Sequence, residues 1–409
     1  MSTHPDEFSI PINSPNEIDN IKSSSASHRL KNKTQAKGMA EIPSQNQTLG
    51  APHQAYVEVD LGAIGANYRL IKQLAPQADI APVVKCDGYG LGASAIARSL
   101  IENEGCRSFF VAHPLEGVRL RESLGGISSN SDVNIIIFNG PDSNSLAWFR
   151  DHNLTPVLNT VSQAKLWASA FPAEEAFVHV DTGMNRLGID PNKINYLDQI
   201  DGLNITTVMS HLAIASDPSN SMNARQRNNF LAAAMHFPGA RLSLSASGGA
   251  FMPAGYHYSQ IRLGISLYGS SVTQERDTRL KRVARLFAPI MQLRDIPKGA
   301  SVGYDMTWTA ERASRIATIG IGYGDGYPRL VSNKGAVVID GIRCPLVGRV
   351  SMDLITVDVS EVGQGIGIGD RAEIFGHSLH LEELAEISDT IPYEILTQIG
   401  PRIERIYTS

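Results

Sequence analysis

Eight short apolar runs, recurring about every 25 residues with helical segments between them, constrain this chain more than any other feature. They fall at residues 80–84, 109–112, 133–138, 155–158, 177–180, 206–210, 242–246 and 260–263. Alternation of strand and helix implies a parallel sheet, and eight such units predict an α/β fold closed into a (β/α)8, TIM-like barrel. The consecutive Ile135, Ile136 and Ile137 suit strands buried on both faces. Ahead of these runs, residues 56–60 alternate like a strand, and Leu61, Ile64, Tyr68 and Ile71 give residues 61–74 helical spacing.

Both ends break this rhythm. Residues 1–52 are rich in Ser, Asn, Gln and Pro with almost no apolar clustering, which predicts a disordered tail. That stretch has neither the apolar core of a signal peptide nor the Arg-rich bias of a transit peptide. Beyond about residue 285 the texture turns β-rich, at residues 314–319, 335–339, 354–359 and 371–375, with a helix candidate at 381–387. The expected organisation is a tail at 1–52, a barrel at 53–287 and a C-terminal mainly β domain at 288–409.

Charge and cysteine usage exclude several classes. A net charge of −5, from 36 Lys+Arg against 41 Asp+Glu, gives no general attraction to nucleic acid or to an anionic membrane. No apolar run is long enough to span a bilayer. Cys86, Cys106 and Cys344 are an odd, scattered set that fits neither a disulfide framework nor a zinc site. They read as reduced thiols of a cytoplasmic protein, with no metal expected.

In a barrel of this kind, functional side chains gather at the carboxyl ends of the strands. Lys85 follows the first run, within Val84-Lys85-Cys86-Asp87-Gly88-Tyr89-Gly90. Arg186 follows the fifth, His211 ends the sixth, Ser247-Gly248-Gly249 follows the seventh, and Arg262-Leu263-Gly264-Ile265 belongs to the eighth. A desolvated lysine is a nucleophile toward carbonyls and can hold pyridoxal phosphate as a Schiff base. Loops after strands seven and eight form the usual phosphate site of such barrels, and glycines there let backbone N–H groups approach an anion.

Further motifs are Ser301-Val302-Gly303-Tyr304, Gly322-Tyr323-Gly324-Asp325-Gly326-Tyr327 and Gly348-Arg349-Val350-Ser351-Met352-Asp353. Taken in order, all these motifs make the chain resemble the alanine racemases, pyridoxal 5'-phosphate enzymes of fold type III, from about Tyr56 to Tyr407. The resemblance implies an isomerase that interconverts L- and D-alanine by two-base proton transfer. Lys85 would carry the cofactor and act as base on one face of the substrate. Tyr304, contributed by a second copy in a head-to-tail homodimer, would act on the other face. A tyrosine is a poor base at neutral pH, and the family links it through a histidine to an arginine, here His211 and Arg262. Arg262 would also face the pyridine nitrogen and discourage its protonation.

The same resemblance implies phosphate contacts from Tyr89, Ser247, Gly264, Ile265 and Tyr393. It places Arg186 near the phenolic oxygen and the substrate carboxylate, and Met352 at that carboxylate through its backbone N–H. Tyr323 would narrow the entrance, with Asp353 supporting the same wall. Such enzymes supply D-alanine for cell-wall peptidoglycan or degrade it.

Three positions depart from the pattern. His179 replaces a lysine that is often carbamylated, Ala246 an asparagine, and Ser351 a cysteine. With His179 in place, a bound anion such as chloride is expected to orient Arg186. The alternatives are a serine or broad-specificity racemase of the same fold, and a non-enzymatic pyridoxal-phosphate homeostasis protein, which would end after a single barrel.

Overall fold

The computed structural model describes residues 54–125, 132–273 and 277–409, so the tail expected at 1–52 lies outside the described residues. The first strand, β1 (Tyr56–Asp60), leads directly into helix α1 (Leu61–Leu74), because the Asp60 carboxylate accepts the Ala63 N–H at 2.7 Å and caps the helix. Ile64, Tyr68 and Ile71 face inward, as their spacing requires.

Eight strands follow: β2 (Asp79–Pro82), β3 (Ser108–Val111), β4 (Asn134–Ile137), β5 (Leu154–Leu158), β6 (Glu175–His179), β7 (Asn204–Met209), β8 (Arg241–Ser243) and β9 (Gln260–Leu263). Strands β3 to β8 pair in parallel and in chain order, and β2 pairs in parallel with β9. Parallel bridges between Val83 and Phe110, and between Ala246 and Arg262, join the two groups into a closed ring. The eight apolar runs therefore form a closed barrel.

Alternation along each strand divides its side chains between the lumen and the helix layer. Ala81, Phe110, Ile136, Val157, Phe177 and Met209, one from each of β2 to β7, fill the lumen. Ile135 and Ile137 point outward into the core beneath the helices, which is why three consecutive isoleucines are all buried. Phe110 stacks on Phe138 at 4.7 Å and meets Phe177 edge-on at 6.0 Å.

The remaining strands are β10 (Ala284–Ile296), β11 (Ser301–Val302), β12 (Trp308–Thr309), β13 (Ser314–Ile319), β14 (Ala336–Ile339), β15 (Ile342–Pro345), β16 (Ile355–Asp358), β17 (Arg371–Phe375) and β18 (Glu404–Thr408). Here the structure departs from the expected partition. Strand β1 precedes the barrel in sequence but pairs antiparallel with β10 and in parallel with β18, so it belongs to the C-terminal sheet. Strand β10 itself runs across residue 287, pairing with β1 and β17 first and then, from Ile290 on, with β13, the latter register shifting between Ile290 and Gln292. Strands β11 and β12 form a separate hairpin. Among the described residues, no helix is long and apolar enough to cross a membrane.

Removing a lumen aromatic leaves a cavity that neighbouring strands cannot close. Phe110→Ala is expected to cost about 3–5 kcal/mol in chemical denaturation, and Met235→Ala, at a site 82% exposed, no more than about 0.5 kcal/mol.

Candidate functional site

A cavity of about 690 Å³ opens at the carboxyl ends of the barrel strands. Lys85, Tyr89, Arg186, His211, Ser247, Arg262, Gly264, Ile265 and Tyr393 all line it. Tyr393 comes from a short helix, Pro392–Thr397, within the β-rich region, so both parts of the chain build one wall.

Lys85 leaves the strand end just before an unusual turn. Cys86, Asp87, Gly88, Tyr89 and Gly90 have φ of 52, 52, 65, 52 and 81°, a run of left-handed backbone. Three of these residues carry a Cβ, at about 1–2 kcal/mol each. Several contacts offset that cost. The N–H groups of Gly88, Gly90 and Gly92 donate to the carbonyls of Val84, Cys86 and Asp87, each at 2.8 Å. Asp87 Oδ1 accepts from the Ala93 N–H at 2.9 Å, and Arg405 donates twice to the Gly90 carbonyl, at 2.9 and 3.0 Å. A Cβ on Gly90 would lie 2.3 Å from the Leu396 carbonyl oxygen, so the turn presses directly on the helix that carries Tyr393. Lys85 Nζ consequently sits at the barrel mouth, 5.9 Å from the centre of the Phe138 ring.

The opposite wall is a cradle of donors. Ser247 Oγ accepts the N–H groups of Gly264 at 3.0 Å and Ser266 at 3.2 Å, which occupies both lone pairs and leaves its own O–H to donate elsewhere. A side chain at Gly264 would place its Cβ 2.9 Å from Tyr89 Oη and 3.6 Å from Ser247 Oγ, filling the space these hydroxyls share. Burial raises the pKa of Tyr89 and pushes that of Tyr393 up to about 12, so both phenols stay protonated donors.

Arg262, 1% exposed, lines the same cavity. It donates from Nη1 to the Ser243 carbonyl and Oγ, both at 2.8 Å. From Nη2 it donates to the carbonyls of Ser210 at 2.6 Å and Leu244 at 3.2 Å, and to His211 Nδ1 at 3.2 Å. Desolvation lowers its pKa to about 9, so it remains a cation at neutral pH. Since arginine only donates, His211 Nδ1 must be the acceptor and any proton on the neutral ring sits on Nε2. Desolvation first, then Arg262 and Arg186, hold His211 down at about 3.

His179, where the carbamylated lysine was expected to be replaced, lines the same cavity. Asn159 donates both amide hydrogens, to the carbonyls of Phe138 at 2.8 Å and Val157 at 3.0 Å, so its Oδ1 faces His179 Nδ1 at 2.9 Å as an acceptor. The His179 proton is thereby fixed on Nδ1 and Nε2 is left a bare acceptor. Burial, with help from Arg262, lowers the His179 pKa to about 4. Asn159 directly follows β5, so the strand-end rule that found Lys85 and His211 would have found it too.

Four expected site residues do not join this cavity within one chain. Tyr304 occupies the tip of the β11–β12 hairpin and is 70% exposed. Tyr323, Met352 and Asp353 lie near one another on the same region: Tyr323 N–H donates to the Ser351 carbonyl at 3.0 Å, and Arg402 joins Asp353 to Asp325. Met352 is 55% exposed. The physical reason is reach: short loops of the β-rich region carry these residues, and they face outward.

The fold and site together define a barrel enzyme in which an amine, a buried guanidinium and an anion cradle share one cavity. Residues 59–272 match the family described as alanine racemase, N-terminal domain, and residues 283–407 its C-terminal domain. The chain belongs to the alanine racemase family. It is 40% identical over 359 residues to the alanine racemase of Rickettsia canadensis, covering 86% of this chain and 98% of that one. A catabolic alanine racemase of Agrobacterium fabrum is 39% identical over 374 residues, covering 89% of this chain and 94% of the relative. The crystal structure of alanine racemase from Bartonella henselae with covalently bound pyridoxal phosphate superposes with a TM-score of 0.81 at 35% identity, covering 87% of this chain and all of that one (100%). The C-terminal match also removes the single-barrel alternative.

The depressed histidines make stability pH-dependent. Above pH 6.5 His179 is neutral in both folded and unfolded chains, and its contribution is fully present. As pH falls toward 4 the unfolded chain takes up the proton first, and the native state loses about 3 kcal/mol. In His179→Gln the melting temperature should therefore fall less between pH 7 and 4.5 than in the parent protein; equal slopes would show that His179 is charged when buried.

Proposed function

We propose that this protein is an alanine racemase that carries pyridoxal 5'-phosphate on Lys85 and interconverts L- and D-alanine with proton carriers on opposite faces of the α-carbon. The observation that carries this reading is one cavity presenting Lys85 Nζ, the Arg262 guanidinium and the hydroxyl cradle around Gly264. The residues suit the cofactor. Tyr89, Ser247, Gly264, Ile265 and Tyr393 would hold its phosphate, and Lys85 its aldehyde. When bound, pyridoxal phosphate supplies an electron sink that acidifies the α-C–H of an attached amino acid.

The chain's own residues set the rest. Lys85 Nζ moves the proton on one face. On the other face the carrier is Tyr304 of a second copy, because in a single chain its hairpin tip faces solvent. Met306, Tyr323, Met352 and Leu354 are exposed apolar side chains of the same region, a surface suited to a partner. The His211 Nε2–H, its tautomer set by Arg262, is the donor that would meet the Tyr304 oxygen. Arg262 itself cannot accept a proton, and a ring nitrogen facing it would stay unprotonated. Arg186 would pair with the substrate carboxylate, alongside the Met352 N–H, while Tyr323 and Asp353 border the entrance.

His179 replaces the expected anion in this scheme. Its unprotonated Nε2 is an acceptor for a guanidinium N–H, whereas chloride beside it would face a lone pair. In this scheme Arg186, which lines the same cavity, would be oriented by His179 directly.

Three measurements test the proposal. Purified protein given pyridoxal phosphate should form D-alanine from L-alanine, and Tyr304→Phe should lower kcat by ~10²–10⁴-fold. Mixing inactive Lys85→Ala and Tyr304→Ala subunits should restore about a quarter of the activity, since half of randomly assorted dimers are hybrids with one intact site; no recovery would place both carriers in one chain. Exchanging chloride for gluconate should leave kcat/KM unchanged, and a marked loss would reinstate the anion.

A further inference from the structure

Glu116 lies outside every motif that pointed to the cavity, on the first turn of the helix Pro114–Ser123. Its carboxylate gathers three backbone N–H groups. Oε2 accepts from Ala112 at 2.8 Å and His113 at 2.9 Å, an ordinary capping arrangement for its own helix. Oε1 reaches across to the neighbouring strand-end loop and accepts the Cys86 N–H at 2.7 Å.

That third bond falls on the residue directly after Lys85. Cys86 begins the left-handed run, and the opening N–H of any helical turn has no partner inside the turn. The other anchors that reach the turn from outside it act later, at Asp87 and Gly90. Glu116 holds the peptide that joins Lys85 to the turn. A charge-assisted bond of this kind is stronger than a neutral one, and it ties the loops after β2 and β3 together.

We propose that Glu116 is a positioning residue for Lys85, fixing the first peptide of the strained turn and hence the direction in which the lysine enters the cavity. The proposal rests on the role given to Lys85 above. Glu116→Asp keeps a carboxylate on the helix but is one methylene too short for Cys86, and Glu116→Gln keeps the length but loses the charge. Thr160→Ala, which removes the Thr160 Oγ1 cap on the Gln163 N–H of another helix, is the control for capping alone.

Hydrogen–deuterium exchange, on protein prepared without pyridoxal phosphate, should speed up about tenfold at residues 86–90 in Glu116→Asp, less in Glu116→Gln, and not at all in Thr160→Ala. With the cofactor added, kcat for alanine should drop about tenfold in Glu116→Asp while KM stays within about twofold. Faster exchange confined to residues 112–117, or an unchanged kcat, would make Glu116 a helix cap and overturn the proposal. If the parent protein takes up no pyridoxal phosphate, the function proposed above fails instead, and the exchange at residues 86–90 still reports on the Glu116 contact.

Discussion

The arrangement depends most on one buried positive charge. Arg262 lies at the barrel's carboxyl end, and the partners that satisfy it are neutral: three carbonyls, a serine hydroxyl and an imidazole nitrogen. Burying a guanidinium without a counter-charge is costly unless its N–H groups find acceptors. Those acceptors come from the ends of β7 and β8 and from the segments following them, so satisfying the charge also fixes the geometry of the rim. The charge then dictates protonation around it. His211 must offer Nδ1 as an acceptor, and both His211 and His179 are held neutral. Two histidines that are usually ambiguous at physiological pH acquire definite tautomers, one with an N–H and the other with a lone pair toward the cavity.

A second constraint acts on the amine. A left-handed run containing Cys86, Asp87 and Tyr89 persists only where surrounding contacts over-determine it. The clamps come from outside the turn: Ala93 on the next helix and, from distant parts of the chain, Glu116 after β3 and Arg405 on β18. Strand β18 lies beside β1, so the end of the described chain braces both its first strand and the turn after Lys85. The strained turn after Lys85 thus links the barrel to the β-rich region, which also sends Tyr393 against Tyr89.

Much of this was legible in the sequence, for identifiable reasons. Strands buried on both faces are continuous apolar runs, so the eight barrel strands stood out, and polar residues just beyond them marked the cavity. The second sheet was harder. Strands β11 and β12 are two residues each and carry no period. The pairing of β1 with β18 joins opposite ends of the described chain, and no local pattern encodes it. Helix Pro392–Thr397 is under two turns long, too short for periodicity to reveal, although it carries Tyr393. Asn159 and Glu116 were missed differently: each acts through another residue, so neither looks reactive by itself.

Dividing the two proton carriers between chains, as proposed, places a demand on the Tyr304 hairpin. A phenol that must meet a fixed point in another subunit gains nothing from a flexible arm, because small misplacements lose most of the advantage of orientation. The hairpin is braced accordingly. Asp305, next to Tyr304, pairs with Arg349 at 2.6 Å, and Thr307 Oγ1 accepts from Asn333 Nδ2 at 3.1 Å. Asn333 Oδ1 in turn accepts the Gly348 N–H at 2.6 Å, on the loop that leads to Met352. The hairpin that carries the tyrosine and the loop that carries the candidate carboxylate-binding N–H are thereby tied into one set of contacts. Association of two chains would deliver a second proton carrier and a substrate contact in a fixed relation to each other, leaving only their docking against Lys85 to be set by the interface.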